Sequence, residues 1–282
     1  VMHTLRCGGN QLTSLNVSNH PAITDLSCPE NQLESLAVAG CTRLRSINCW
    51  KNSFNALDLS GCTGITEFSL AGSEGQLTSL NLSGCINLAT LELDGSEGRL
   101  TSLDLTGCTA LGSASCQGNQ LATLRAGGCA VLRELLCAYN ELESLDVSEC
   151  PELESLDCRE NELPSLDVSG STALQVLHCE GNRLSSLDVS DHPTLSSLYC
   201  SDNLLGSLAV SGCTSLQTLD CWGNSFDSLD LSGCTSLVSF SLVGSRGQLP
   251  ALNLSGCTGL ESIDLSGSSG RLTTPDLSGC TS

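Results

Sequence analysis

The stretch ITDLSCPENQLESLAV, which runs from Ile23 to Val38, carries the pattern that decides the fold. Apolar residues stand at its first, fourth, eleventh, fourteenth and sixteenth positions, with Cys28 at the sixth and Asn31 at the ninth. The same columns return along the whole chain, so the sequence is an array of one repeated unit. Thirteen copies begin at Met2, Ile23, Leu44, Ile65, Leu88, Leu111, Leu132, Leu153, Leu174, Leu195, Leu216, Leu237 and Leu260.

The copies come in two lengths. Most are 21 residues long, and four take a 23-residue form. In the longer form a leucine replaces the cysteine, and a Gly-Ser-x-Gly loop such as Gly72-Ser73-Glu74-Gly75 replaces the asparagine. The longer copies begin at Ile65, Leu88, Leu237 and Leu260.

The copies also repeat in groups, with a longer period. Residues 1–110 match residues 173–282 at more than half of their positions, an offset of 172 residues or eight copies. In this way the pair Cys49-Trp50 returns as Cys221-Trp222. We interpret this super-repeat as the product of a tandem duplication.

Each copy is predicted to form one turn of a solenoid. Before the asparagine, apolar residues alternate with polar ones, as they do in a short strand with one buried face. The second half of the copy repeats this alternation, and Ser, Gly, Asp and Thr interrupt both halves too often for a helix. The asparagine side chain can bond backbone groups where the strand turns away. We therefore predict a mainly β solenoid with a parallel β-sheet on one face, short strands or extended segments on the other, and little or no α-helix.

The full motif L-x-x-L-x-C-x-x-N-x-L-x-x-L-D-V-S, complete in residues 132–148, resembles a known family. It is similar to the 21-residue, cysteine-containing leucine-rich repeats of bacterial surface proteins of the internalin J type. The resemblance covers the whole chain and implies a single leucine-rich-repeat solenoid of thirteen coils over residues 1–282. It also implies an extracellular or cell-surface location on a bacterium, with function carried by exposed positions.

Acidic residues dominate the charge of the chain. There are 31 Asp and Glu residues against 11 Lys and Arg, which gives a net charge of −20. Nucleic acids and anionic membranes attract basic surfaces, so we expect neither as a partner. The sequence also contains no run of 18 apolar residues, so we predict no membrane insertion.

The 19 cysteines fall into two columns. The first column holds Cys7, Cys28, Cys49, Cys116, Cys137, Cys158, Cys179, Cys200 and Cys221, and the second holds Cys41, Cys62, Cys85, Cys108, Cys129, Cys150, Cys213, Cys234, Cys257 and Cys280. Because leucine takes the first-column place in the longer copies, we predict buried free thiols that act as small apolar side chains. Disulfides between stacked neighbours are one alternative. A metal ion between His192 and Cys213 is another.

Five positions of each copy flank the buried residues of the strand and should form an exposed sheet face. All four Trp and Tyr residues of the chain fall at these positions, whereas all four Phe residues fall at core positions. Flat rings over a rigid sheet suit protein or sugar ligands. The alternative is that the rings only cover the sheet backbone. The predicted ligand-binding residues are Arg45, Trp50, Lys51, Arg133, Tyr139, Arg159, His178, Tyr199 and Trp222.

Acids that recur once per copy form a row in the second half of the repeat. We predict that they accept hydrogen bonds from the backbone or from Ser and Thr at the turn, with calcium binding as the alternative. They are Asp58, Asp104, Asp146, Asp167, Asp188 and Asp230. No catalytic or phosphate-binding motif accompanies them. We therefore predict no enzyme, no catalytic or metal-binding residues and no cofactor.

Two functions remain open at this point. The first is a non-catalytic extracellular recognition or adhesion module that binds a protein or carbohydrate ligand through the exposed face of its sheet. The alternative is a structural segment of a surface stalk or filament, in which solenoid units stack through end-to-end self-association. The 172-residue period motivates this alternative.

Overall fold

Short parallel strands make up the regular structure in the computed structural model of the chain, which describes residues 1–70, 77–94, 99–244, 251–267, 274–278 and 280. Within these residues there are 25 strands of two or three residues and no helix. The chain forms two compact units, Val1–Cys150 and Pro151–Ser282. The predicted combination of a parallel sheet with short strands and no α-helix is confirmed. Apart from Gly244 and Gly267, the first residues of two of them, the Gly-Ser-x-Gly loops of the longer copies lie outside the described residues.

The first unit contains fourteen of these strands. They are β1 (Thr4–Arg6), β2 (Ser14–Asn16), β3 (Asp25–Ser27), β4 (Ser35–Ala37), β5 (Ser46–Asn48), β6 (Ala56–Asp58), β7 (Glu67–Ser69), β8 (Ser79–Asn81), β9 (Thr90–Glu92), β10 (Ser102–Asp104), β11 (Ser113–Ser115), β12 (Thr123–Arg125), β13 (Glu134–Leu136) and β14 (Leu145–Asp146). The odd-numbered strands pair in parallel in chain order as the main sheet of the unit. The even-numbered strands form the groups β2–β4, β6–β8 and β10–β12–β14.

The second unit contains the other eleven strands. They are β15 (Ser155–Asp157), β16 (Val176–His178), β17 (Ser186–Asp188), β18 (Ser197–Tyr199), β19 (Ser207–Ala209), β20 (Thr218–Asp220), β21 (Leu229–Asp230), β22 (Ser239–Ser241), β23 (Ala251–Asn253), β24 (Ser262–Asp264) and β25 (Thr274–Asp276). The main sheet of this unit runs β15–β16–β18–β20–β22–β24. The second halves of the copies give β17–β19 and β21–β23–β25.

The pairing register keeps each column of the repeat in line. Leu5, Leu26, Ile47, Phe68 and Leu91 are direct neighbours across β1, β3, β5, β7 and β9. Successive side chains of a strand point to opposite faces. In most of the described three-residue strands the central residue is therefore buried and at least one of its neighbours is exposed or half-buried. The sheet face of the molecule is therefore built from the residues on either side of each buried leucine.

The interior is aliphatic, with cysteine as its small member. Of the 19 cysteines, all free thiols, only Cys7 and Cys280 are not fully buried. Burial raises the pKa of the Cys28 and Cys116 thiols to about 12, which keeps them protonated. The prediction that they act as small apolar side chains agrees with this placement. All four phenylalanines are buried as well: Phe54, Phe68, Phe226 and Phe240.

Second-column thiols also make a polar contact that the sequence did not reveal. Cys41 and Cys213 each donate from Sγ to a backbone carbonyl oxygen of the preceding coil at 3.0 Å. His192 replaces a cysteine in this column, and its Nε2 lies 3.1 Å from the Val168 carbonyl oxygen. The ring therefore takes over the contact of the missing thiol. Within the described part of the chain, no three His, Cys, Asp or Glu side chains are grouped to hold a metal ion.

The asparagine side chains link successive coils by hydrogen bonds to the backbone. Asn224 Oδ1 accepts a hydrogen bond from the Leu205 amide at 3.0 Å. Its Nδ2 donates to the carbonyl oxygens of Cys200 at 2.9 Å and Cys221 at 3.0 Å. One side chain thus satisfies backbone groups of two successive coils, which confirms the predicted role of the asparagine.

The aspartates in the second half of each copy accept hydrogen bonds at the turns. Asp188 Oδ1 accepts from the Ser190 amide at 2.9 Å. The Asp104 carboxylate accepts from both the amide and the hydroxyl of Thr106, and these hydrogen bonds hold its pKa below the ordinary value. The predicted hydrogen bonding of these carboxylates is confirmed at Asp58, Asp104, Asp146, Asp167, Asp188 and Asp230.

Candidate functional site

The predicted site residues all lie outside the core, each either exposed or half-buried. The first unit holds Arg45, Trp50, Lys51, Arg133 and Tyr139, and the second holds Arg159, His178, Tyr199 and Trp222. The structure gathers part of each set into a local group on the main sheet. The two groups differ in composition and are described in turn.

The second-unit face comprises seven residues at the outward positions of four neighbouring coils. They are Asp157, Arg159, His178, Glu180, Tyr199, Asp220 and Trp222. Four of them form one row across the sheet, because Asp157, His178, Tyr199 and Asp220 are register partners on β15, β16, β18 and β20. Adjacent strands lie about 4.8 Å apart, so each side chain of the row is in reach of the next.

Two rings stack at the centre of this row. The His178 and Tyr199 ring centroids are 4.3 Å apart, and their planes differ by 3°. His178 also contacts Glu180, whose Oε1 lies 3.0 Å from His178 Nδ1. The imidazole therefore contacts both a ring and a carboxylate, and these contacts restrict the orientation of the two rings.

Carboxylates flank the stacked rings on both sides. Asp157 is 9% exposed and pairs with Arg159, with 3.1 Å between Oδ2 and Nη2. Burial raises the pKa of Asp157, although hydrogen bonding and the charge of Arg159 oppose the effect. Burial also raises the pKa of Asp220, and the charge of Glu180 adds to it, while hydrogen bonds from Trp222 oppose both. The face therefore holds negative charge in partly desolvated positions.

Two carboxylate oxygens of this face have no hydrogen-bond partner among the described residues. They are Oε2 of Glu180 and Oδ1 of Asp220, and both atoms are buried. Neither residue was among the predicted site residues, because the prediction selected aromatic and basic side chains. The available signal was positional: Asp220 and Glu180 stand at the same flanking positions that selected Tyr199 and Trp222.

The first-unit face is smaller and lies around Trp50; it comprises Glu30, Asn48, Trp50 and Lys51. Arg45 lines a separate depression with His3, Thr24 and Arg43. Lys51 Nζ lies 4.7 Å from the Trp50 ring centroid and 3.1 Å from Glu30 Oε1. A shallow, open depression adjoins the ring, lined by Ser46, Ile47, Asn48, Trp50, Glu67 and Ser69. Here a positive charge already covers the aromatic ring.

Arg133 and Tyr139 do not join the first-unit face, since β7, β9 and β11 separate β13 from β5. Tyr139 is 55% exposed and has a φ of 57°, in the left-handed region. Gly118 holds the equivalent position one coil earlier with a φ of 68°. A bulky residue is rare in this conformation, so the fold imposes it on Tyr139.

Scans against protein-family models and curated protein sequences give no match. Each turn of about 21 residues has one strand in the main parallel sheet and in most copies a second short strand, and the leucine and asparagine columns stack from turn to turn. This is the leucine-rich-repeat solenoid fold. The predicted resemblance to internalin J is confirmed. The solenoid is similar to the functional domain of InlJ from Listeria monocytogenes, which includes a cysteine ladder: the TM-score is 0.65, with 28% identity over 94% of this chain. This chain spans 63% of that structure.

Two further solved structures share the fold. The internalin InlF from Listeria monocytogenes gives a TM-score of 0.63 at 17% identity and covers 95% of this chain and 87% of its own. YopM from Yersinia enterocolitica gives 0.61 at 24% identity, with coverage of 93% and 59%. Separately, the described part of the chain contains no helix of the length and hydropathy needed to cross a membrane.

Proposed function

We propose that this chain is a non-catalytic recognition module, located outside a bacterial cell or at its surface, which binds a protein or glycan ligand through the outward face of its parallel sheet. The observation that carries the proposal is the second-unit face. The stacked His178–Tyr199 pair lies on β16 and β18, and the exposed Trp222 follows the next strand, β20, by two residues. The resemblance of the repeat to those of bacterial surface proteins supports the location.

The physical basis is preorganisation. The hydrogen-bonded sheet fixes the backbone beneath the face, and stacking restricts the rings of His178 and Tyr199, so a ligand that binds them has less ordering entropy to overcome. Tyr and Trp supply large rigid contact areas with a polar tip, which is why they dominate the energetics of many interfaces. Trp222 is 38% exposed, so one side of its ring is available to a ligand.

A double variant tests the proposal. The wild-type chain is screened against a glycan array and a displayed peptide library, and the selected ligands are measured against Tyr199→Ala/Trp222→Ala. We expect affinity to fall at least about tenfold, because aromatic anchors contribute most of the binding energy of such surfaces. The matched control is Ile86→Ala/Leu204→Ala, which removes two exposed apolar side chains outside the sheet face.

The outcomes separate cleanly when the circular dichroism spectrum and the thermal midpoint show that both variants are folded. Loss of affinity in the face variant, with full affinity in the control, supports recognition by the sheet face. Unchanged affinity in the face variant, or an equal loss in the control, rejects it. A selected set that contains only glycans or only peptides identifies the ligand class.

The second candidate function is a structural segment of a stalk or filament assembled from stacked solenoid units. The 172-residue period favours it, since tandem units of similar sequence suit a repetitive assembly. Mass measurement across a dilution series provides the test. A mass that rises with concentration supports assembly, whereas a monodisperse monomer at high concentration counts against it.

A further inference from the structure

The outward positions of the second unit are strongly acidic. Among its described residues, the flanking positions carry eight carboxylates, and Arg159 supplies the single guanidinium. The carboxylates are Glu154, Asp157, Glu160, Glu180, Asp202, Asp220, Glu261 and Asp264. A surface of this kind attracts cationic groups and repels anionic ones.

Two of these carboxylates retain unused acceptors. Glu180 Oε2 and Asp220 Oδ1 are buried and lack a hydrogen-bond donor among the described residues. A buried charged acceptor without a donor is unfavourable. Glu180 and Asp220 are partly exposed as residues, so a side-chain rotation presents these oxygens to the donors of a ligand above the face and removes that cost. The two residues belong to coils on either side of Tyr199, and the charge of Glu180 acts on Asp220.

Aromatic rings lie between and beside these acceptors. The plane of Tyr199 is stacked on His178, and Trp222 follows Asp220 by two residues along the chain. A guanidinium group is planar, stacks on aromatic faces and donates several hydrogen bonds in a fixed fork, whereas an ammonium group is a strongly hydrated point charge. Flat rings combined with carboxylate acceptors therefore favour arginine over lysine.

We propose that the second-unit face recognises an arginine side chain of a protein ligand, which donates to the carboxylates of Glu180 and Asp220 and packs against the rings of Tyr199 and Trp222. This inference rests on the proposed function and narrows its ligand to a protein segment that carries arginine. The first-unit face does not offer the same site, because Lys51 already lies over the ring of Trp50 and the position equivalent to Asp220 is Asn48.

Fluorescence anisotropy with labelled hexaarginine provides the test. Hexacitrulline, the neutral isostere, and hexalysine are the comparison peptides. At physiological salt we expect wild-type protein to bind hexaarginine at least about tenfold more tightly than hexacitrulline and several-fold more tightly than hexalysine. Equal affinity for the arginine and lysine peptides would overturn the preference for a guanidinium.

Two charge-matched double variants separate the site from the overall charge. Glu180→Gln/Asp220→Asn should lower hexaarginine affinity about tenfold or more, because it removes both charged acceptors. Glu141→Gln/Glu143→Gln removes the same charge at exposed positions outside the sheet face and should change affinity less than about twofold. Equal losses in the two variants, or no loss in the first, would show that only net charge attracts the peptide.

Failure of this inference is distinguishable from failure of the proposed function. If hexaarginine binding does not depend on Glu180 and Asp220, but Tyr199→Ala/Trp222→Ala still abolishes binding of library-selected ligands, only the arginine site is wrong. If the aromatic variant leaves every selected ligand bound, the sheet face is not the binding surface, and both proposals fall.

Discussion

Trp50 and Trp222 occupy the same position of two copies that lie 172 residues apart, and the scaffold beneath them is nearly the same. Asn52 Oδ1 accepts from an amide at 3.0 Å, and its Nδ2 donates to the carbonyl oxygens of Cys28 at 3.0 Å and Cys49 at 2.8 Å. Asn224 makes the equivalent three hydrogen bonds at 3.0, 2.9 and 3.0 Å. The buried hydrogen bonds beneath the two rings are therefore equivalent.

The residues around the two rings do distinguish them. Beside Trp50 stand the neutral Asn48 and the cationic Lys51, while the equivalent positions beside Trp222 hold Asp220 and Gly223. The ring is the shared feature, and the charge next to it has changed sign. Outward positions contribute little to the core, so they can change without disturbing the fold. One scaffold therefore presents the same aromatic ring in two electrostatic settings.

Because the two units share one kind of interior, we predict that both unfold at alkaline pH. This is the largest effect we expect. The pKa of Cys28 in the first unit and of Cys234 in the second is raised to about 12 by burial. The folded chain therefore keeps protons that the unfolded chain releases above pH 9.0, the ordinary pKa of a thiol. The free energy of unfolding should fall as pH rises, by up to about 1.4 kcal/mol per pH unit for each buried thiol.

Single-tryptophan variants report on the two units separately. Trp222→Phe leaves Trp50 as the probe of the first unit, and Trp50→Phe leaves Trp222 as the probe of the second. Fluorescence recorded with reductant present should show loss of structure in both by about pH 10. If one unit is still folded at pH 11 while the other has unfolded, the interiors of the two units are not equivalent. If both are still folded, the thiols do not set the alkaline limit of stability.

The asparagine column predicts the next largest effect. Asn52→Ala and Asn224→Ala each remove at least four hydrogen bonds and leave buried backbone groups without partners, so each should lower the free energy of unfolding by about 3 kcal/mol. Urea unfolding measures both losses. The exposed pair Asn55→Ala and Asp227→Ala serves as the control and should change stability by less than about 0.5 kcal/mol. Unequal losses at Asn52 and Asn224 would show that the two scaffolds differ.

A smaller effect concerns the backbone under the two rings. Lys51 has a φ of 51° and Gly223 a φ of 72°, so a lysine tolerates in one copy the left-handed conformation that glycine adopts in the other. Gly223→Lys should cost about 1 to 2 kcal/mol because of this conformation. A Cβ there would also lie only 2.5 Å from Asp202 Oδ1, and this side chain would have to move.

The reverse change should be nearly neutral. Lys51→Gly relieves the left-handed strain but loses an exposed ion pair and a cation–π contact, each worth about 0.5 kcal/mol. Urea unfolding of the two variants measures the asymmetry. If Lys51→Gly proves as costly as Gly223→Lys, the lysine contacts stabilise the first-unit face far more than exposed groups normally do.

Periodicity was enough to predict the interior and the outward face. The columns through Leu26, Cys28 and Asn31 fixed the strands, the register and the buried phenylalanines, because each recurs with the spacing of one coil. Exposure of Trp50 and Trp222 followed from the same count. These features depend on the local sequence pattern alone. Because the pattern recurs in every copy, it can be identified from the sequence.

Features that depend on one copy could not be predicted in this way. Glu180 and Asp220 are two of the 31 acidic residues of the chain, and the burial of their unpartnered oxygens depends on three-dimensional packing. The left-handed backbone at Tyr139 was hidden because glycine holds that position in some copies only. Donation of second-column thiols to backbone carbonyl oxygens depends on the spacing between coils, which the sequence does not state.

The smallest effect tests the charge difference between the two faces directly. Burial and Glu180 raise the pKa of Asp220, so its carboxylate is less favourable in the folded chain than in the unfolded chain at neutral pH. Asp220→Asn should therefore increase the free energy of unfolding at pH 7, by up to about 1 kcal/mol since the group is only partly buried. The gain should shrink as pH falls through the folded pKa and vanish below the ordinary pKa of 3.8, where both states are protonated.

Urea unfolding of wild type and Asp220→Asn between pH 3 and pH 7 checks this pH dependence. Asn48→Asp is the matched reverse change in the first unit and should have little effect, because Asn48 is exposed and a carboxylate there stays hydrated. A gain for Asp220→Asn that persists undiminished at pH 3 would mean that charge is not its cause. An equal and opposite response at Asn48 would mean that the two faces share one electrostatic environment, and their difference would then lie only in which residues they carry.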